Sequence, residues 1–181
     1  MKLKIVKDSS PKIRKRSEEV PLPLSAEDRE LIDSMFEYLV RSQDEEYAKK
    51  HNIRPGVGLA AVQCGYLKRM FVIYYDRGNG EYVQYKLVNP KIIENSVRKV
   101  ALESGEGCLS VDVDHKGLVH RFYSIKMKAY DVIQEKEIII NASGYDAIVL
   151  QHEFDHLNGM LYYDRIVYDA PFVKLPGEEI I

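Results

Sequence analysis

Residues 143–159 read SGYDAIVLQHEFDHLNG, and their spacing predicts a buried helix that carries chemistry. Ser143 and Asp146 form an S-x-x-D capping pattern at the front, and Gly159 supplies a stop at the back. Ala147, Leu150, Phe154 and Leu157 fall on one side, with Tyr145, Val149, His152 and His156 on another. A helix that is apolar on most sides is a buried one. Two histidines and a glutamate inside it need an explanation, and His152-Glu153-Phe154-Asp155-His156 supplies one as an H-E-x-x-H motif. Residues four apart share a helix face, so both imidazoles can reach one metal ion. Glu153 projects about 100° away, which suits an adjacent base rather than a third ligand. The bland alternative is a pair of satisfied core histidines with a surface glutamate. It fits poorly, because burying Glu153 uncharged or unpaired costs on the order of several kcal/mol.

A catalytic tetrahedral site takes three protein ligands and keeps a fourth position open, so the motif is one ligand short. No histidine follows His156, and Glu178 and Glu179 lie in a tail broken by Pro171 and Pro176. Upstream, Cys108 sits in Glu106-Gly107-Cys108-Leu109-Ser110, where the glycine lets another backbone approach closely. A thiolate is a good ligand for zinc or ferrous iron. A lone cysteine is usually a small buried hydrophobe, and Cys64 is read that way. The missing third ligand reverses that reading for Cys108. A third stretch, GVGLAAVQ at residues 56–63, offers small residues for close approach and an amide donor in Gln63. It is not a phosphate loop, since no Lys-Ser or Lys-Thr follows, and alone such a stretch is more often a bulge or turn.

The remainder of the chain predicts an α+β fold, with antiparallel sheets packed around the C-terminal metal-binding helix. Ser25 and Asp28 cap a core helix carrying Leu31, Ile32, Met35, Phe36 and Leu39, which frays into a charged, exposed loop over residues 44–50. Residues 70–75 and 82–88 form a hairpin around a loop at 76–81. Ile125, Met127 and Ala129 alternate with polar neighbours as a half-buried strand, and residues 132–140 return as its partner. At 181 residues the chain is one domain, 1–181, with no repeats or linker. Twenty-six basic against 28 acidic side chains leave a net charge of -2, which excludes a global polycation for wrapping DNA. No stretch approaches a membrane span, no secretory signal is visible, and two cysteines suit a reducing compartment, so a cytoplasmic location is expected. Seven basic residues among the first sixteen, Lys2 included, fit either a solvated surface strand and turn or contact with ribosomal RNA.

GVGLAAVQ, EGCLS and HEFDH, in that order, resemble the three defining motifs of the bacterial peptide deformylase family. Residues 44–54 look like an insertion and the tail is non-helical, as in that family's Gram-positive-type branch; Val62 stands where the family most often has proline. The resemblance implies hydrolysis of the formyl group from N-formylmethionyl nascent peptides. It implies Cys108, His152 and His156 as metal ligands and Glu153 as the general base. The Gln63 side chain and the Leu109 backbone N–H would serve as donors to the oxyanion. Fe2+ is the implied ion, with Ni2+, Co2+ or Zn2+ able to substitute. Val57, Gly58 and Gly107 are expected beside the substrate backbone. Counting back three and seven residues from His152 places Val149 and Tyr145 at the first side-chain pocket, with ordinary core as the open alternative for both. Asp155, facing away from the ligands, is paired with Arg121. Two other readings stay open: a small zinc endopeptidase using Glu178 or another distal acid as third ligand, and a non-catalytic metal sensor with a closed fourth position that leaves Glu153 idle.

Overall fold

The β-branched and aromatic run at residues 70–75 is continuous rather than alternating because its strand is covered on both faces. The computed structural model describes residues 3–78 and 80–181; Lys2 of the basic run and Asn79 of the hairpin loop lie outside the described residues. The elements are α1 (Ala26–Ser42), α2 (Glu45–His51), β1 (Gly58–Ala60), β2 (Met70–Asp76), β3 (Tyr82–Asn95), β4 (Lys99–Ala101), β5 (Arg121–Phe122), β6 (Ser124–Asp131), β7 (Lys136–Ser143), α3 (Gly144–His156) and β8 (Glu179–Ile180). The main sheet has the order β1-β2-β3-β6-β7 with antiparallel pairs throughout. A small sheet, β5-β4-β8, adds one parallel pair, β4 with β8.

Period-two alternation then sorts side chains between two cores. Phe71, Ile73 and Tyr75 of β2 join Ile125, Met127 and Ala129 of β6 beneath Ala147, Val149 and Leu150 of α3. Met70 and Val72 point the other way, onto Leu31, Ile32, Met35 and Leu39 of α1. The α1 cap forms as expected: Ser25 Oγ accepts from the Asp28 N–H at 3.1 Å.

Four expectations are corrected. Residues 44–50 are no exposed loop: helix re-forms as α2, with the Asp44 carboxylate accepting from the Tyr47 N–H at 2.7 Å and Asn52 ending it in the left-handed region at φ 52°. The partner of β6 begins at Lys136 rather than Val132, because residues 132–135 make the turn and Glu135 takes φ 52°. β3 continues past Val88 to Asn95 through a register shift at Asn89, whose side chain bonds both the N–H and the C=O of Val20. The N-terminal stretch is neither a strand nor merely solvated: among its described residues no strand forms before the short turn at Pro11–Arg14. Val6 N–H donates to Gln63 O at 2.7 Å, Asp8 N–H donates to Ser110 O at 2.8 Å, and Ile13 is fully buried in a short 3-10 turn. It braces two of the three motifs.

Candidate metal centre

α3 begins where β7 ends. Ser143 is still extended, at φ -143° and ψ 160°, and its side chain caps nothing. Asp146 does not complete the S-x-x-D pattern, because its carboxylate accepts from Tyr75 Oη and Arg77, reaching across to β2. The expected capping pattern is therefore absent, although the helix starts where it was placed. That start sets the face on which His152 and His156 project, one turn apart.

Cys108, carried on the loop after β4, meets them. The Sγ of Cys108 and the ring nitrogens of His152 and His156 offer ligand atoms within 4.8 Å of one another, the one such group among the described residues. Sγ lies 3.3 Å from His156 Nε2. The other nitrogen of His152, Nδ1, is 2.8 Å from Glu106 Oε2, which orients the ring and leaves Nε2 for an ion. Burial together with the neighbouring His152 pushes the His156 pKa well down, towards the neutral form that ligates.

Behind the ligands runs a chain of ion pairs. Arg121, 1% exposed, grips Glu106 with Nε and Nη2 at 2.7 and 2.8 Å and reaches Asp155 with Nη1 at 2.7 Å. Arg165 closes the chain on Asp155 at 2.5 and 2.6 Å. Burial alone would push the Glu106 carboxyl up, but Arg121 and then His152 outweigh it and hold it at about 2. Glu106 is thus a fixed anion behind a metal-facing histidine. Asp155 pairs with Arg121 as expected from sequence. Glu106 and Arg165 were not assigned roles there.

Glu153 is buried beside the triad, and its Oε2 has no hydrogen-bond partner among the described residues. Burial pushes its pKa up to about 7, only partly offset by His152 and Arg121. It packs against Gly58 so tightly that a Cβ there would stand 2.3 Å from Glu153 Oε1. Gln63 is held at its carbonyl end by the Ala60 N–H, at 2.8 Å, so its amide nitrogen points at Cys108 Sγ and Ser110 Oγ, at 3.5 and 3.2 Å.

Cys108 and Glu106 join Glu153 and Gln63 in lining a cavity of about 380 Å³. Val57, Gly58, Gln63, Gly107, Leu109, Tyr145, Val149, His152 and Glu153 all line it. A Cβ on Gly107 would meet nothing within 4 Å, so this glycine leaves the cavity wall open. Val149 is 5% exposed and belongs to the core under α3 as well as to the wall, whereas Tyr145 is 40% exposed and sets its ring edge-on to Tyr75. Leu109 turns its carbonyl to Lys7 Nζ at 3.1 Å. Gln43 and Arg54 also line the cavity, without any signal in the sequence that marked them. Cys64 is a buried thiol, pushed up to about 12 by burial and then by Glu153. Glu178, the alternative third ligand, instead accepts from His120 Nδ1 at 2.7 Å and from the Leu175 N–H at 3.0 Å.

Comparison with known proteins gives one consistent result. The family model described as polypeptide deformylase matches residues 2–170. The chain is 53% identical over 163 residues to the peptide deformylase of Macrococcus caseolyticus, covering 90% of this chain and 88% of that one. It is 47% identical over 178 residues to that of Staphylococcus epidermidis, covering 98% and 96%. Among solved structures, a probable peptide deformylase from Synechococcus phage S-SSM7 superposes with a TM-score of 0.73 at 36% identity, covering 91% of this chain and all of that one.

Proposed function

The chain belongs to the peptide deformylase family, and from that premise we propose which of its residues carry out the reaction. The enzyme is a hydrolase that removes the formyl group from the N-terminal formylmethionine of newly made polypeptides and releases formate. Cys108, His152 and His156 hold the metal; one thiolate and two imidazoles in a single cluster, oriented by Glu106, suit a first-row divalent ion. Fe2+ is the native ion in this reading, with Ni2+, Co2+ or Zn2+ able to substitute. When bound, the ion supplies Lewis acidity that polarises the formyl carbonyl and acidifies water.

Glu153 does the proton work. With its pKa near 7 it takes a proton from the attacking water and returns one to the departing amine. The Gln63 amide and the Leu109 backbone N–H donate to the oxyanion as it develops; removing one such donor typically costs about 2.7–4 kcal/mol. β1 is an edge strand, paired on one side by β2, and Val57 and Gly58 line the cavity. An extended substrate backbone lies along it opposite Gly107. Val149 and Tyr145 wall the pocket for the methionine side chain.

The single observation that carries this reading is a buried Glu153, its Oε2 without a hydrogen-bond partner among the described residues, lining one cavity with Cys108 and His152 of the Cys108–His152–His156 cluster. Formate release from formyl-Met-Ala-Ser by anaerobically purified protein tests it, and no release by metal-loaded protein would refute it. The thiol ligand supports a reducing, cytoplasmic setting. Among the described residues no helix is long and apolar enough to cross a membrane. Ribosomal contact, as part of the same reading, falls to the exposed cations Lys4, Lys12, Lys15 and Arg16, since Lys7 is engaged with Leu109 and Asp112.

A further inference from the structure

Arg54 is a half-exposed member of the cavity lining, whereas Glu153 in the same lining is buried. Arg54 lies four residues before Gly58, which touches Glu153. Its guanidinium donates to Val111 O at 2.8 Å, and Nη2 lies 3.5 Å from Asp114. It therefore ties the segment that leads to Gly58 to the segment that follows Cys108. Glu106, His152 and Glu153 line the cavity from the inside. Arg54 is the exposed charge among the described lining residues, with 48% of its side chain open to solvent. The neighbouring Asp112 is taken up by Lys7 at 2.6 Å, so Asp114 is the acid that competes for Arg54. A guanidinium has five N–H donors, and these two contacts leave the others for a further acceptor.

An extended peptide advances about 3.3 Å per residue, and its alternate side chains share a face. With the formyl end beside Glu153 and the first side chain at Val149, the third side chain returns to the cavity face about 7 Å further along. A substrate running antiparallel to β1 heads from Gly58 back towards residue 54, and Arg54 lines the same cavity on that segment. We propose that Arg54 makes the third residue of the formylated chain a point of selection, favouring an acidic side chain over a basic one. The proposal rests on the deformylase reading above.

The test uses metal-loaded enzyme and three substrates with amidated C-termini, formyl-Met-Ala-Asp, formyl-Met-Ala-Ser and formyl-Met-Ala-Lys. At low ionic strength kcat/KM should favour Asp over Lys by about two- to fivefold, the range of a partly exposed ion pair. The preference should shrink as salt rises. Arg54→Glu should invert it, and Asp114→Asn, which removes the competing acid, should widen it. Melting temperature and metal content establish that each variant is folded. An Asp-to-Lys ratio that is the same in the parent enzyme and Arg54→Glu overturns the proposal. So does a uniform loss on all three peptides, which would make Arg54 a brace for Val111 alone. Failure of the parent enzyme on the serine peptide would instead sink the deformylase reading itself.

Discussion

Gly58 gives Glu153 the space it occupies: a Cβ built on Gly58 would lie 2.3, 2.6 and 2.7 Å from Oε1, Cδ and Cγ of that side chain. No real Cβ tolerates such contacts, and the clash falls on the whole carboxylate arm rather than on a loose tip. Gly58→Ala should therefore move the base by roughly 1 Å, a displacement that can cost about 10²-fold in rate. Metal content should not change. Gly107→Ala, with nothing within 4 Å of its Cβ, should keep both fold and metal and raise KM instead. Full activity in Gly58→Ala would mean that Glu153 is not positioned by this contact.

Removing the base and removing a ligand should have different signatures. Glu153→Ala should keep near-stoichiometric metal and lose at least about 10²-fold in kcat, the usual worth of general-base catalysis. Cys108→Ala should lose metal affinity first. Elemental analysis finding a folded but metal-free Glu153→Ala protein would contradict this division.

Arg121 is buried between two carboxylates, so its loss leaves both without their main counter-charge. Arg121→Met should cost about 3–5 kcal/mol of stability, as breaking buried pairs does. Through Glu106 it should also loosen His152, lowering metal affinity by about 10- to 100-fold. Arg165→Ala should be milder, because Asp155 keeps Arg121 and Arg165 is one-third exposed. Chelator competition and thermal melts read the two effects separately. Unchanged metal affinity in folded Arg121→Met protein would confine the chain of ion pairs to a structural role.

How much of this was legible in the sequence depended on range. The two histidines and their glutamate are local to one helix, so spacing alone placed them, and Cys108 followed from the missing ligand. Glu106 stood in a quoted motif, yet its value comes from His152 and Arg121, 46 and 15 residues away, and nothing local announces either contact. Arg165 and Arg54 carry no pattern at all. α2 was missed because none of its residues is buried, which leaves no apolar face to read, only the Asp44 cap. The S-x-x-D pattern before α3 misled for the opposite reason. The local signal was present, but Tyr75 and Arg77 claimed the Asp146 carboxylate.

Asp28 gives a pH dependence distant from the metal centre. Burial would raise its pKa, but hydrogen bonds from Lys68 and Ser25 outweigh that and hold it below the ordinary 3.8. A carboxyl whose folded pKa is depressed adds stability above its unfolded value and loses it as pH falls through the folded one. Asp28→Asn should therefore lower the melting temperature at pH 7, and the gap from the parent should close below pH 3.8. A gap that persists undiminished in acid would assign the loss to packing or to the helix cap rather than to charge.

The side chain selected at the first substrate position is the sharpest test of the cavity. Val149 faces it one turn before His152, and the same residue is 5% exposed and packed into the core beneath α3. Core membership means that any enlargement there will cost stability, so a fall in melting temperature decides nothing. The ratio between substrates does. Val149→Phe fills space that the terminal S–CH3 of methionine needs and that an alanine side chain never enters. Each buried methylene contributes about 0.8 kcal/mol, so excluding two such groups should cut kcat/KM for formyl-Met peptides by roughly tenfold relative to formyl-Ala peptides. Tyr145→Ala should act more weakly, since that ring stands at the exposed mouth, 40% open to solvent. If Val149→Phe slows both substrates equally, Val149 serves the core alone and the methionine pocket must be sought elsewhere along the cavity, at Ile148 or Leu102.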